Sequence, residues 1–259
     1  MTVDAIPRLR MFAGPNGSGK STIKSLLAPS LLGVYINPDD IQKQIESTGS
    51  LDFAEFGFPC DINELRKHFQ HSPLAARAGL NLQLDQLRLN LQSLVIPAAL
   101  SNSYLASILA DFIRQQLLNR KISFTFETVM SSPDKIELLA KAKVQGFRTY
   151  LYYIATDNPA INVWRVKRRV ELGGHDVPTD KIISRYHRSL SLLPDAIRNS
   201  DRAYLFDNLE PNNSGSPRSL QETKFGFNPI NCPTGLRNRS GTIFKALKHT
   251  ISLGTSLTA

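Results

Sequence analysis

Gly14, Gly19, Lys20 and Ser21 satisfy the spacing G-x-x-x-x-G-K-[ST] within AGPNGSGKST. In a loop of that pattern, backbone N–H groups cradle phosphates, the lysine reaches the outer phosphates and the hydroxyl ligates magnesium. The candidate nucleotide-binding residues are therefore Gly14, Pro15, Asn16, Gly17, Ser18, Gly19, Lys20, Ser21 and Thr22. The ligand they imply is a nucleoside triphosphate, ATP with Mg2+, with Ser21 on the metal and Lys20 among the catalytic groups. An ordinary glycine turn is the alternative. A GTPase would also need a D-x-x-G turn and an N-K-x-D element in suitable places, and neither is present.

Three further groups could do chemistry beside such a loop. Asp39 and Asp40 follow GVYINP, about twenty residues after Lys20. An acid near the terminal phosphate can orient an acceptor hydroxyl and take its proton. Asp39 is the candidate base; both acids would equally suit the start of a helix near Ile41, where the dipole favours negative charge. Glu127 and Thr128 end ISFTFET and are candidate substrate-binding residues, although a solvated strand end would look the same. Arg165, Arg169 and Arg185 lie in a basic stretch, and arginines delivered to a transferring phosphoryl group neutralise its developing charge. His175 could shuttle a proton, but a histidine in a turn more often caps backbone or faces water.

These residues need a frame to hold them. LRMFA before the loop is strand-like, and STIKSLLAPSLL after it has helical spacing at Ile23, Leu26 and Leu27. Gly33–Ile41, Ile122–Thr128 and FRTYLYYIAT read as further strands. If they are parallel, their carboxyl ends share an edge with the loop. Asp157, Asn158 and Pro159 signal a helix start. On that helix Val163, Val166 and Val170 share one side while Arg165, Arg168 and Arg169 gather on the other. Gly173, Gly174, His175 and Pro178 break it, and a second helix from about Thr179 carries Arg185 and Arg188 over a stripe of Ile182, Tyr186, Leu190 and Leu193. The two helices, 157–197, read as a lid. AYLFDN, Ala203–Asn208, completes the sheet.

The 259 residues, 41% of them hydrophobic, can bury a full core, and no run offers the roughly 20 apolar residues of a membrane helix. A cytoplasmic protein is expected, with no membrane partner and with Cys60 and Cys232 as free thiols. The net charge of +9 is concentrated: Arg165–Arg188 and Glu210–Ala259 carry +4 each. A compact basic stretch suits a few phosphates, and a nucleic-acid partner is not expected.

GPNGSGKST, INPDDI, FTFET, RVKRRVELGGHDVPTDKIISRYHRSL and AYLFDN, in that order, resemble the zeta toxin family of P-loop kinases, and more narrowly its short bacterial zeta toxin or UDP-N-acetylglucosamine kinase members. The likeness covers roughly residues 8 to 208, and the Gly-Gly-His-x-Val-Pro stretch is more specific than the loop alone. It implies an α/β fold of the P-loop NTPase, adenylate-kinase-like kind. This is a three-layer α/β/α design with a mainly parallel central sheet, a helical insert and an arginine-bearing lid. It also implies ATP-dependent phosphorylation of a sugar hydroxyl of UDP-N-acetylglucosamine, which starves cell-wall synthesis, and an antitoxin protein as partner. By the same resemblance Asp39 is the base, Glu127 helps hold the nucleotide sugar and the lid arginines bracket the phosphates.

There are departures. Larger members carry a Thr two residues after that Glu, where this chain has Val129, leaving Thr128 or Ser131 to supply the hydroxyl. The insert 49–118 has no close match; its length and the run LNLQLDQLRLNLQSLVIP suggest helices over the acceptor side. The kinase domain is expected to span 1–209. The rest, with 26 Ser, Thr, Gly, Pro or Asn among 50 residues, reads as a disordered basic tail, or as a non-native extension from a shifted reading frame. The scaffold also fits another small-molecule or nucleic-acid-end kinase, or a non-catalytic ATP-binding protein such as a decayed toxin.

Overall fold

The computed structural model describes residues 6–25, 27–174, 176–208 and 223–225. In chain order the elements are β1 (Arg8–Ala13), α1 (Lys20–Lys24), α2 (Pro29–Leu32), β2 (Val34–Ile36), α3 (Pro38–Thr48) and β3 (Ser50–Asp52). They continue with α4 (Ile62–His71), α5 (Pro73–Arg77), β4 (Arg88–Asn90), β5 (Ser93–Val95), α6 (Ser103–Asn119), β6 (Phe124–Thr128) and α7 (Asp134–Val144). β7 (Arg148–Ala155), α8 (Pro159–Glu171), α9 (Thr179–Arg198), β8 (Arg202–Asp207) and β9 (Thr223–Phe225) complete the order. They fall into two compact units, Met1–Ala28 with Glu127–Ala259, and Pro29–Phe126.

In the first unit β1, β7 and β8 pair in parallel, with Phe12 opposite Tyr152 and Tyr152 opposite Tyr204. Five of the six residues of β1 are buried, the near-continuous burial expected of a parallel strand covered on both faces. On one face Leu9, Met11, Leu151 and Tyr153 are fully buried. On the other, Phe12 stacks on Tyr152 at 4.7 Å between centroids and Tyr152 stacks on Tyr204 at 5.0 Å, while the Arg10 guanidinium lies over the Tyr150 ring. This is the α/β class read from the sequence, with parallel strands and flanking helices.

The second unit holds the parallel pair β2–β6 and a separate antiparallel sheet ordered β3-β5-β4. Its core gathers Phe53, Leu65, Phe69, Phe112 and Leu51, with Phe53 edge-on to Phe112 at 5.9 Å. Burying each such side chain contributes about 1.5–3 kcal/mol. Cys60 is also buried here, and burial pushes its thiol up to about 12, which keeps it protonated. The unit runs from Pro29, so it takes in β2 and α3 as well as the 49–118 stretch.

Three expectations change. The leucine-rich run forms a short 3-10 turn, Leu80–Gln86, followed by the strands β4 and β5, not helices. Leu87, Leu89 and Leu91 keep the strand period of two around β4, whereas Leu80, Leu82 and Leu84 share that spacing yet lie in the 3-10 turn. The helix after the phosphate loop ends at Lys24, with Ser25 at its C-terminal cap, and a separate helix begins at Pro29. The strand expected over Gly33–Ile41 is only Val34–Ile36, because α3 starts at Pro38, with the Asn37 side chain accepting from Asp39 N at 3.0 Å. Of the tail, only Thr223–Phe225 is described; it pairs antiparallel with β8 and so belongs to the sheet. His175, Cys232 and the rest of the tail expectation lie outside the described residues.

Candidate functional site

The residues of the phosphate loop leave the carboxyl end of β1 and re-enter a helix at Lys20. Gly14, Gly17 and Gly19 take φ of 145°, 72° and 96°, which L side chains rarely adopt. Space excludes a side chain as well: a Cβ on Gly14 would lie 2.2 Å from Ile154 O, and one on Gly19 would lie 2.4 Å from Asn208 Nδ2. Positive φ at Gly17 and Gly19, alternating with Asn16 and Ser18, is the backbone pattern of an anion-binding nest, although the Ser18 N–H itself donates to Pro15 O at 3.2 Å. α1 is only five residues long, so this nest carries the anion-binding capacity more than a helix dipole does.

Lys20 Nζ donates to Gly14 O at 2.9 Å and to Pro15 O at 3.0 Å, so its ammonium is held over the loop. Ser21 Oγ donates to Glu127 Oε2 at 3.2 Å. Glu127 is 8% exposed at the end of β6 and thus faces the hydroxyl that the loop pattern assigns to magnesium. A hydroxyl beside a carboxylate is an oxygen-only donor set of the kind Mg2+ takes when phosphates and waters complete its shell. Thr22 is exposed, and Ser18 is fully buried with its Oγ lacking a hydrogen-bond partner. Thr128 Oγ1 accepts from Met130 N at 3.0 Å, so part of its capacity closes the turn after the strand.

The arginine helices are built as their sequence implies. Asn158 caps α8 by accepting from Ala160 N at 2.8 Å, with Pro159 in the first turn. Val166, Val177 and Ile182 form a cluster on which Val163 and Val170 pack. Gly174 N donates to Arg169 O, and a Cβ on Gly174 would stand 2.8 Å from that carbonyl, which explains the second glycine. α9 is tied to the sheet by Tyr186 OH donating to Thr156 O at 2.7 Å and by Tyr153 OH paired with Ser189 Oγ at 3.0 Å. Among the predicted arginines, Arg165 is placed against the loop: its Cβ is 3.4 Å from where a Gly17 Cβ would sit, and its Nη2 donates to Asn208 O at 3.2 Å. Arg169 is exposed near the end of α8, and Arg185 is half-buried on α9.

Asp39 and Asp40 are exposed in the first turn of α3, in the second unit. Their position matches the dipole-favoured reading that the sequence left open beside catalysis.

Two residues with no assigned role in the sequence also touch the loop. Asn162 Nδ2 donates to Asn16 O at 2.6 Å, and Asn208 Nδ2 donates to Ser18 O at 2.8 Å. Asn208 follows a strand that ends at the phosphate edge, which is the one signal that could have marked it. Asn162 is a polar residue beside the apolar stripe of α8, yet it is fully buried.

Fold and loop together define a P-loop NTPase of the α/β/α class. The zeta toxin family model matches residues 102–207, so over that segment the chain is similar in sequence to zeta toxins. An uncharacterized protein of Haemophilus influenzae is 35% identical over 69 residues, 27% of this chain and 49% of that protein. The chain thus spans about half the length of the curated relative it matches. Among solved structures, one from the PezAT chromosomal toxin-antitoxin system of Streptococcus pneumoniae has a TM-score of 0.45 at 13% identity, covering 99% of this chain and 89% of that one. A complex of AvrRxo1-ORF1 with AvrRxo1-ORF2 and sulphate ions has a TM-score of 0.47 at 17% identity over 80% of this chain and 56% of that one. Shikimate kinase from Acinetobacter baumannii bound to shikimate has a TM-score of 0.35 at 12% identity, covering 99% and 97%. Among the described residues no helix is long and apolar enough to cross a membrane.

Proposed function

We propose that the protein is an ATP-dependent kinase that transfers a γ-phosphoryl group to a hydroxyl of a nucleotide sugar of the UDP-N-acetylglucosamine kind, in the manner of zeta toxins. The observation that carries the reading is the loop itself: a glycine-enforced nest with Lys20 held over it and Ser21 hydrogen-bonded to Glu127. In this reading the loop amides and Lys20 hold the phosphates, while Ser21 and Glu127 hold Mg2+, which supplies charge neutralisation when bound. This extends the role of Glu127 from substrate contact to the metal. Asp39 takes the proton of the acceptor hydroxyl, on the chemistry of its residue type. Arg169 and Arg185 neutralise charge on the transferring group, and Arg165 braces the loop. The cytoplasm as its compartment and an antitoxin protein as its partner belong to the same proposal and rest on the family resemblance.

A different acceptor is the second reading. It is favoured by Val129, which stands where larger family members carry a hydroxyl, and by Thr128, whose oxygen serves the following turn. The test is release of ADP with ATP and magnesium against a panel of nucleotide sugars, free sugars, nucleosides and RNA ends. Turnover with UDP-N-acetylglucosamine is expected. Turnover only with another class establishes the second reading, and ATP binding without any acceptor-dependent turnover contradicts both.

A further inference from the structure

The two asparagines do more than fill space beside the loop. A carbonyl oxygen can only accept, so the atoms facing Asn16 O and Ser18 O must be side-chain NH2 groups. Both amides are themselves fixed. Asn162 Oδ1 accepts from the buried Thr156 hydroxyl, and Thr156 O in turn accepts from Tyr186 on α9. Asn208 N donates to Ala155 O at 3.0 Å at the end of β7, and its carbonyl accepts from Arg165 on α8.

The consequence follows from the planarity of the peptide group. In a trans peptide the C=O of one residue and the N–H of the next point in opposite directions, and the described residues contain no cis bond. Drawing Asn16 O toward Asn162 therefore turns Gly17 N–H the other way. Drawing Ser18 O toward Asn208 does the same to Gly19 N–H. These are the glycines with φ of 72° and 96°, so both glycine N–H groups of the nest are aimed by side chains that approach from outside it.

We propose that Asn162 and Asn208 are positioning residues, which orient the Gly17 and Gly19 amides toward phosphate and make the loop's binding competence depend on how α8 and the end of β8 are seated. This rests on the reading that the loop binds a triphosphate. Neither asparagine touches phosphate; each acts through a loop carbonyl. Arg165 belongs to the same assembly, because it holds the backbone of Asn208 while its stem packs against Gly17.

The test uses the full chain and the substitutions Asn162→Leu and Asn208→Leu, which keep size and remove the donor facing each carbonyl without adding charge. Affinities for ATP and for inorganic tripolyphosphate are measured by calorimetry, alongside the melting temperature without ligand. Each variant should bind ATP about five- to twentyfold more weakly, and tripolyphosphate by the same factor, since only phosphate contacts are lost. A lower melting temperature with unchanged affinities would make the asparagines merely structural and overturn the proposal. So would a loss for ATP that tripolyphosphate does not share. Wild-type protein labelled with nitrogen-15 gives a reading that needs no variant: tripolyphosphate should move the Gly17 and Gly19 amide resonances, and unmoved resonances in a protein that binds it would refute the orientation. If the wild type binds neither ligand, the triphosphate reading itself fails; if the wild type binds and the variants match it, only the role of the asparagines fails.

Discussion

Alanine at three glycines separates backbone strain from steric overlap, and the structure ranks the outcomes. Gly49, Gly19 and Gly14 have φ of 69°, 96° and 145°. At Gly49 an added Cβ meets nothing within 4 Å, so the cost is strain alone, about 1–2 kcal/mol. At Gly19 the Cβ would meet Asn208 Nδ2 at 2.4 Å, the far end of a side chain that can swing away at the loss of its bond to Ser18 O, about 1 kcal/mol more. At Gly14 it would meet Ile154 O at 2.2 Å, a backbone atom of β7 in register with β1, which cannot yield without parting the two strands. Strain and overpacking there sum to about 2–6 kcal/mol, a large share of a typical stability. At about 2–4 °C per kcal/mol for a chain of this size, the melting temperature should fall by a few degrees in Gly49→Ala, further in Gly19→Ala and by about 5–25 °C in Gly14→Ala. Thermal melts followed by circular dichroism give the order, and calorimetry with ATP gives a second axis. Gly49→Ala should bind ATP as the wild type does, whereas Gly19→Ala should lose about tenfold or more. A Gly14→Ala protein that melts no lower than Gly49→Ala would refute the reasoning.

Asp39→Asn should slow ADP release steeply while ATP affinity is kept, and lost ATP binding would point instead to a magnesium role. Arg169→Ala and Arg185→Ala should depress the rate more than the affinity, and equal loss in both would reduce these arginines to a docking surface. His68, 3.5 Å from Asp111 on α6, is held below its ordinary 6.5 by burial, and Asp111 opposes that shift while Arg114 and His71 add to it. A depressed pKa means that the native state keeps the imidazole neutral while the unfolded chain takes up a proton. Its contribution to stability is therefore present above pH 6.5 and is lost as the pH falls through the folded value. Melting temperatures between pH 7.5 and 5 should fall less steeply in His68→Gln than in the wild type, and coincident slopes would exclude this linkage.

What could be read in advance was local in sequence. The phosphate loop, the cap at Asn158 and the break at Gly173 and Gly174 each depend on residues within a few positions of one another, and the structure places each as expected. Local signals existed for some of what differs: Asn37-Pro38 is a cap followed by a first-turn proline, and Leu87, Leu89 and Leu91 keep the strand period around β4. Asn162 and Asn208 are different in kind. They meet the loop across 146 and 190 residues of chain, and apart from the strand end before Asn208 nothing beside them distinguishes an asparagine that holds a carbonyl from one that faces water. The bond between Ser21 and Glu127, 106 residues apart, likewise emerges only once β1 and β6 deliver their ends to it.

Calorimetric titration of ATP with magnesium into the wild type and into Lys20→Ala, both verified as folded by their melting curves, tests the central claim most directly. One ATP should bind per wild-type chain, and affinity should fall at least about tenfold in the variant, whose missing ammonium is the one held at 2.9 Å and 3.0 Å from the loop carbonyls. Equal binding by both proteins, or none by the wild type, would contradict it.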